Sequence, residues 1–126
     1  MQSEAFARPF RPDPPYDVKF QGLPAFATLQ AAEDTIARLE ELRQEYLALK
    51  DRQGLEYCRR AALLARRRAE GIAANRRISP ARRAQKAEIS SWFTVWLETP
   101  DLFGQWLHLR KRTPEYRGLE RVEREA

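Results

Sequence analysis

The sequence predicts an all-α protein, a small bundle of antiparallel helical hairpins with about four main helices, preceded by an extended proline-rich N-terminal arm. Three observations carry this. From Thr28 onward, apolar residues recur at spacings of three and four, the signature of a face along a helix. No segment alternates with period two over five residues, so strands are not expected. Five of the eight prolines crowd into residues 1–24, where missing amide donors and a fixed φ favour extended chain.

The elements follow in order. Residues 1–27 form the expected arm, in which Phe6, Phe10, Tyr16 and Phe20 stand among Pro9, Pro12, Pro14, Pro15 and Pro24. Rings in a proline-rich segment suit anchoring, over the domain itself or over a second subunit. Residues 28–112 form the expected bundle. Its first helix, near 28–50, carries the stripe Leu29, Ala32, Ile36, Leu39, Leu42, Tyr46 and Leu49, with Asp34/Arg38 and Glu40/Arg43 at pairing distance on the outer face. A polar break, Lys50 to Gly54, separates it from a second helix near 53–75. There Leu55, Cys58, Ala62, Ala65, Ala69 and Ile72 make a seam of mostly small side chains that lets a partner helix approach closely.

Three hydroxyl–proline pairs then mark helix starts: Ser79-Pro80, Thr99-Pro100 and Thr113-Pro114. Each puts a capping residue before a proline suited to the first helical turn. Helices are expected at 80–98 and 100–112, and residues 113–126 as a short C-terminal helix or tail.

Two fragments resemble known motifs. LRQEYLALKDRQGLEYCRRAALLA resembles the hairpin of a tetratricopeptide repeat, with Tyr46, Asp51, Ala62 and Leu63 near favoured positions. It lacks the closing proline and does not recur at that family's 34-residue period, so it implies a helical hairpin and no more. IAANRRISPARRAQ is similar to the DNA-reading helix-turn-helix around its turn, at Ile72, Ala73, Ile78 and Ser79. Arg77 replaces the turn glycine, however, and Arg76 and Arg83 stand at positions that are apolar core in that motif.

Composition bounds the function. A chain of 126 residues, 43% hydrophobic and 33% charged, is a single globular domain rather than a disordered one. No apolar run approaches the roughly 20 residues that span a bilayer, so no membrane partner is expected. The N-terminus lacks the basic-then-apolar order of a signal peptide, and the single cysteine forms no internal disulfide, which makes the cytoplasm the expected location.

Charge is distributed unevenly. Residues 59–86 hold ten cations against the one acid Glu70, a local charge of +9 that leaves −4 for the rest of a chain whose net charge is +5. Part of this run reads as solvated helix surface. In an antiparallel hairpin Arg59 and Arg60 come level with Glu45, and Arg67 and Arg68 approach Glu33 and Asp34. Arg76, Arg77, Arg82, Arg83 and Lys86 lie beyond those acids and form the candidate patch for phosphate or an acidic partner.

Trp92, Phe93, Trp96, Phe103 and Trp106 concentrate the aromatic side chains in one stretch. Apolar residues at helical spacing are first of all core. Their number exceeds what one small hairpin buries, which makes them candidates for an interface as well.

Chemistry is not expected. His108 is the lone histidine, Cys58 falls on an apolar seam, Glu40, Glu41 and Glu45 read as a solvated face, and no glycine-rich loop or metal-ligand spacing occurs. Neither a cofactor nor a small-molecule substrate is implied. The reading is a non-enzymatic intracellular protein-interaction module that contacts another protein or, by self-association, a second copy of itself. The alternative is a nucleic-acid-binding protein using the patch at 76–86.

Overall fold

The computed structural model describes residues 26–125, and these are all-α. Among them lie α1 (Leu29–Ala48), α2 (Arg52–Ala73), α3 (Pro80–Glu98), a 3-10 turn (Pro100–Leu102), α4 (Phe103–Arg110) and α5 (Pro114–Glu125), with no strand. None of these helices is long and apolar enough to cross a membrane. The expected arm, apart from Phe26 and Ala27, lies outside the described residues, as do Phe6, Phe10, Tyr16 and Phe20.

Local chemistry sets the boundaries. Thr28 caps α1, its Oγ1 accepting the Ala31 amide at 3.0 Å. The helix ends where Lys50 enters the left-handed region at φ 56°. There the Asp51 amide reaches back to the Tyr46 carbonyl at 2.9 Å and the Lys50 amide to Leu47 at 3.1 Å. This six-to-one and five-to-two closure usually has glycine where Lys50 stands. Leu49, expected on the buried stripe, falls after the last helical residue and is 55% exposed.

Asp51 then caps α2 through the Gly54 amide at 3.0 Å. Gly54 is required by contact, because a Cβ there would sit 2.2 Å from the Tyr46 ring. The small-residue seam is present as Cys58, Ala61, Ala62, Ala65 and Ala69, all buried, whereas Leu55 and Ile72 at its ends are only partly covered. It lets α2 pack closely against α3 and also line α1.

Ser79 caps α3 at the Arg82 amide and Thr113 caps α5 at the Tyr116 amide, both at 3.3 Å. Thr99 does otherwise. Its hydroxyl donates back to the Val95 carbonyl at 3.0 Å, closing α3 instead of opening the next helix, so the helix expected at 100–112 divides into a 3-10 turn and α4.

The core lies where α1, α2 and α3 meet, with Tyr46, Ile36, Leu39, Ile89, Trp92 and Phe93 fully buried. Phe26 packs on Phe93 with ring centroids 5.6 Å apart. The C-terminal segment belongs to this core: Tyr116 of α5 stacks on Trp92 at 6.1 Å. Near the far end of α5, Glu123 accepts the Leu29 amide at 2.8 Å and the Gln85 amide side chain at 2.6 Å.

Candidate functional site

The aromatic stretch divides into core and surface. Trp92, Phe93, Trp96 and Phe103 are buried, at 0 to 8% exposure, and act as packing. Two carboxylates make this burial of tryptophan tolerable, because an indole N–H away from water needs an acceptor. Glu88, itself buried, accepts Trp92 Nε1 at 2.8 Å and holds Arg110 at its two oxygens. Glu40 accepts Trp96 Nε1 at 2.9 Å, together with Arg43 and the Gln44 amide. Burial works to raise the Glu40 pKa, but the bonds from Arg43, Gln44 and Trp96 outweigh it and hold the carboxyl below its usual range. Glu40 is thus a junction between α1 and α3 rather than part of a solvated face. Sequence reasoning missed Glu88, although its four-residue spacing to Trp92 was a visible signal.

Arg43 continues the second junction to Asp101 at 2.9 Å, and Lys111 ties α4 to Glu33 at 2.7 Å. Between α1 and α4 these pairs border an open groove of about 650 Å³, floored by Ile36, Trp96, Phe103 and Leu107. Its Glu33, Glu40 and Asp101 already hold cations.

What remains uncovered is one face of α4. Leu102 and Leu109 are 56% and 55% exposed, and the half-buried Trp106 lies between them. Spacings of four and three align the three side chains. Trp106 is held in place by Phe103, whose ring lies 6.1 Å away. Asp101, paired with Arg43 on the groove side, precedes this face, and exposed Arg112 stands at its carboxyl end.

The five-residue basic patch is corrected by the structure. Lys86 lies three and seven residues before Ile89 and Phe93, on the inner face of α3, and is 1% exposed. Its ammonium donates to the Phe26 carbonyl, and burial, with the nearby Arg82 charge, pushes its pKa down. A side chain so placed cannot meet a partner. Arg83 is half-buried, its Nε donating to the Ala73 carbonyl at 3.0 Å, which ties α3 to the end of α2. Arg76, Arg77 and Arg82 are exposed and form no ion pair among the described residues.

The helix-to-helix pairing expected for Arg59 and Arg60 gives way to local pairing. Arg59 and Arg60 both turn to Glu56, three and four residues earlier, at 2.6 and 2.8 Å. The Arg59 bond, then that of Arg60, brings the Glu56 pKa down to about 2. Asp34 accepts the Gln30 amide, and Arg38 pairs with Glu41.

The nucleophile candidates are separated. Cys58 is buried on the α2 seam, where desolvation pushes its thiol up to about 12, far from a reactive thiolate at neutral pH. His108 is exposed on α4. Among the described residues, no group of three His, Cys, Asp or Glu side chains could hold a metal ion. In comparisons with known proteins, the chain matched no family model, no curated protein and no solved structure.

Proposed function

We propose that this chain is a non-enzymatic interaction module that pairs with a second copy of itself through the outer face of α4. The observation that carries the reading is the alignment of Leu102, Trp106 and Leu109 on one exposed strip, beside a core that buries the other tryptophans. Exposed apolar side chains in a row lose water contact when a matching face covers them.

Charge favours the same face of another copy, laid antiparallel. The strip is basic at its Arg112 end, whereas Asp101 at the other end is held by Arg43, so antiparallel pairing keeps the two Arg112 side chains apart and opposes the helix dipoles. Parallel pairing would set like charges together. Three side chains a copy make a small interface, which puts the pairing at the weak, concentration-dependent end of the range. The buried cysteine, kept as a thiol, suits a reducing compartment such as the cytoplasm.

Solution mass tests this. Sedimentation across a hundred-fold concentration range should show mass rising from 14.8 kDa toward twice that value. Leu102→Glu with Leu109→Glu should hold it at the monomer, with helicity unchanged because both residues are exposed. A monomer at every concentration, or a dimer untouched by the double variant, contradicts the reading.

A further inference from the structure

We infer that the turn joining α2 to α3 is a binding end for the sugar–phosphate backbone of a duplex nucleic acid. It is independent of the α4 pairing, since α3, roughly 27 Å long by its rise per residue, separates this turn from the start of α4.

The structure redraws the basic patch around Arg76, Arg77 and Arg82. All three are exposed, and none forms an ion pair among the described residues. This separates them from Arg59 and Arg60, equally exposed but committed to Glu56. The one acid within residues 59–86, Glu70, lies 4.0 Å from Arg66. Guanidinium groups without an ion-pair partner gain most from an anion that neutralises several at once.

The scaffold beneath is fixed. Asn75 Oδ1 accepts the Arg77 amide at 3.0 Å, and the Asn75 carbonyl accepts the Ile78 amide at 3.1 Å. Arg83 then joins the two helix ends through the Ala73 carbonyl at 3.0 Å. Arg76 and Arg77 therefore project from an ordered turn, and Arg82 from the first turn of α3. Preorganised donors of this kind lose less entropy on meeting phosphates.

The surroundings decide among anions. Residues 66–83 carry no exposed large apolar side chain; Val122 of α5, 43% exposed, shares a cavity with Ser79, Ala81 and Arg82, but Arg76 and Arg77 stand outside it, so the turn itself offers charge without an apolar centre. Residues 66–83 also contain no aromatic side chain on which an unpaired base could stack. What is left is contact with regularly spaced phosphates, independent of base sequence.

Fluorescence anisotropy tests this with a labelled duplex DNA of about 20 base pairs, duplex RNA, single-stranded DNA and poly-glutamate as competitor. Three phosphate contacts should lower duplex affinity about 40-fold between 50 and 200 mM salt. Arg76→Gln, Arg77→Gln and Arg82→Gln together should reduce the slope of log affinity against log salt by about 0.9 for each lost contact. Arg59→Gln with Arg60→Gln should leave it unchanged. Circular dichroism confirms that both variants stay folded. The proposal is overturned by absence of binding at 50 mM salt, by equal losses in the two variants, or by single strands or poly-glutamate binding as tightly as duplex. DNA and RNA duplexes are both within it, and their ranking identifies the source.

Discussion

Arg110 closes on Glu88 with two parallel bonds, Nε to Oε2 at 2.7 Å and Nη2 to Oε1 at 2.6 Å, while Trp92 donates to the same Oε2. The Glu88 side chain is 6% exposed, so this is an ion pair inside the fold that ties the end of α4 to the middle of α3. The hydrogen bond that Arg110 donates to Glu88, with the Glu88 charge, raises the Arg110 pKa.

Removing one partner of such a pair leaves the other desolvated without compensation. Glu88→Gln should therefore destabilise the protein by about 2–3 kcal/mol, below the fully buried range because Arg110 keeps some solvent. Urea unfolding measures it. In contrast, Glu56→Gln, at the exposed Arg59 pair, should leave the midpoint nearly unmoved.

Two glycines on α2 should respond in opposite directions. At Gly71 a Cβ meets nothing within 4 Å, so Gly71→Ala should stabilise by about 0.8–1 kcal/mol through helix propensity. At Gly54 the same methyl would overlap the Tyr46 ring, which is fully buried and has no room to give. Gly54→Ala should cost about 1–3 kcal/mol net despite its better propensity. Thermal melts of the two variants side by side decide this.

Lys50 occupies the left-handed position that ends α1, a conformation that disfavours any residue with a Cβ. Lys50→Gly should relieve this and stabilise by about 0.5–1 kcal/mol, after allowing for glycine's greater freedom in the unfolded chain. Chemical denaturation should show a higher midpoint with unchanged slope.

Cys58 gives a pH test. Its folded pKa, raised to about 12 by burial, lies above the ordinary value of 9.0, so its contribution is fully present below pH 9 and lost as pH rises toward 12. Stability of the native chain minus that of Cys58→Ala should fall across that window. Tyr116, also raised to about 12, first by burial and then by neighbouring carboxylates, loses stability in the same direction above pH 10. It is common to both proteins and cancels in the difference. A flat difference curve would refute the assignment.

The sequence was most legible where a signal is local. Capping hydroxyls before Pro80 and Pro114, the polar break before α2 and the three-four stripes place the helices within a few residues. Thr99 misled because its hydroxyl could either accept an amide of the next helix or donate to the last turn of α3, and the α3 carbonyl at Val95 won. Lys86 misled because charge was weighed above register: Lys86, Ile89 and Phe93 share a face, and the carbonyl that receives the ammonium belongs to Phe26, 60 positions away. The Arg110–Glu88 pair, 22 positions apart, depends on how α4 folds back, which no spacing reveals. Arg59 and Arg60 chose Glu56 on their own helix, where reach is guaranteed, over Glu45 across the hairpin.

Crosslinking tests the pairing through α4 most directly. With Leu102 set over the partner's Leu109, Gln105 and Trp106 fall beside the two-fold axis. In a Cys58→Ala background, Gln105→Cys should therefore form a covalent dimer rapidly under mild oxidation, whereas His108→Cys, turned toward the α1–α4 groove, should not. That result would establish the face. Equal and slow crosslinking at the two positions would mean chance collision, and the α4 face would then not be where this protein meets itself.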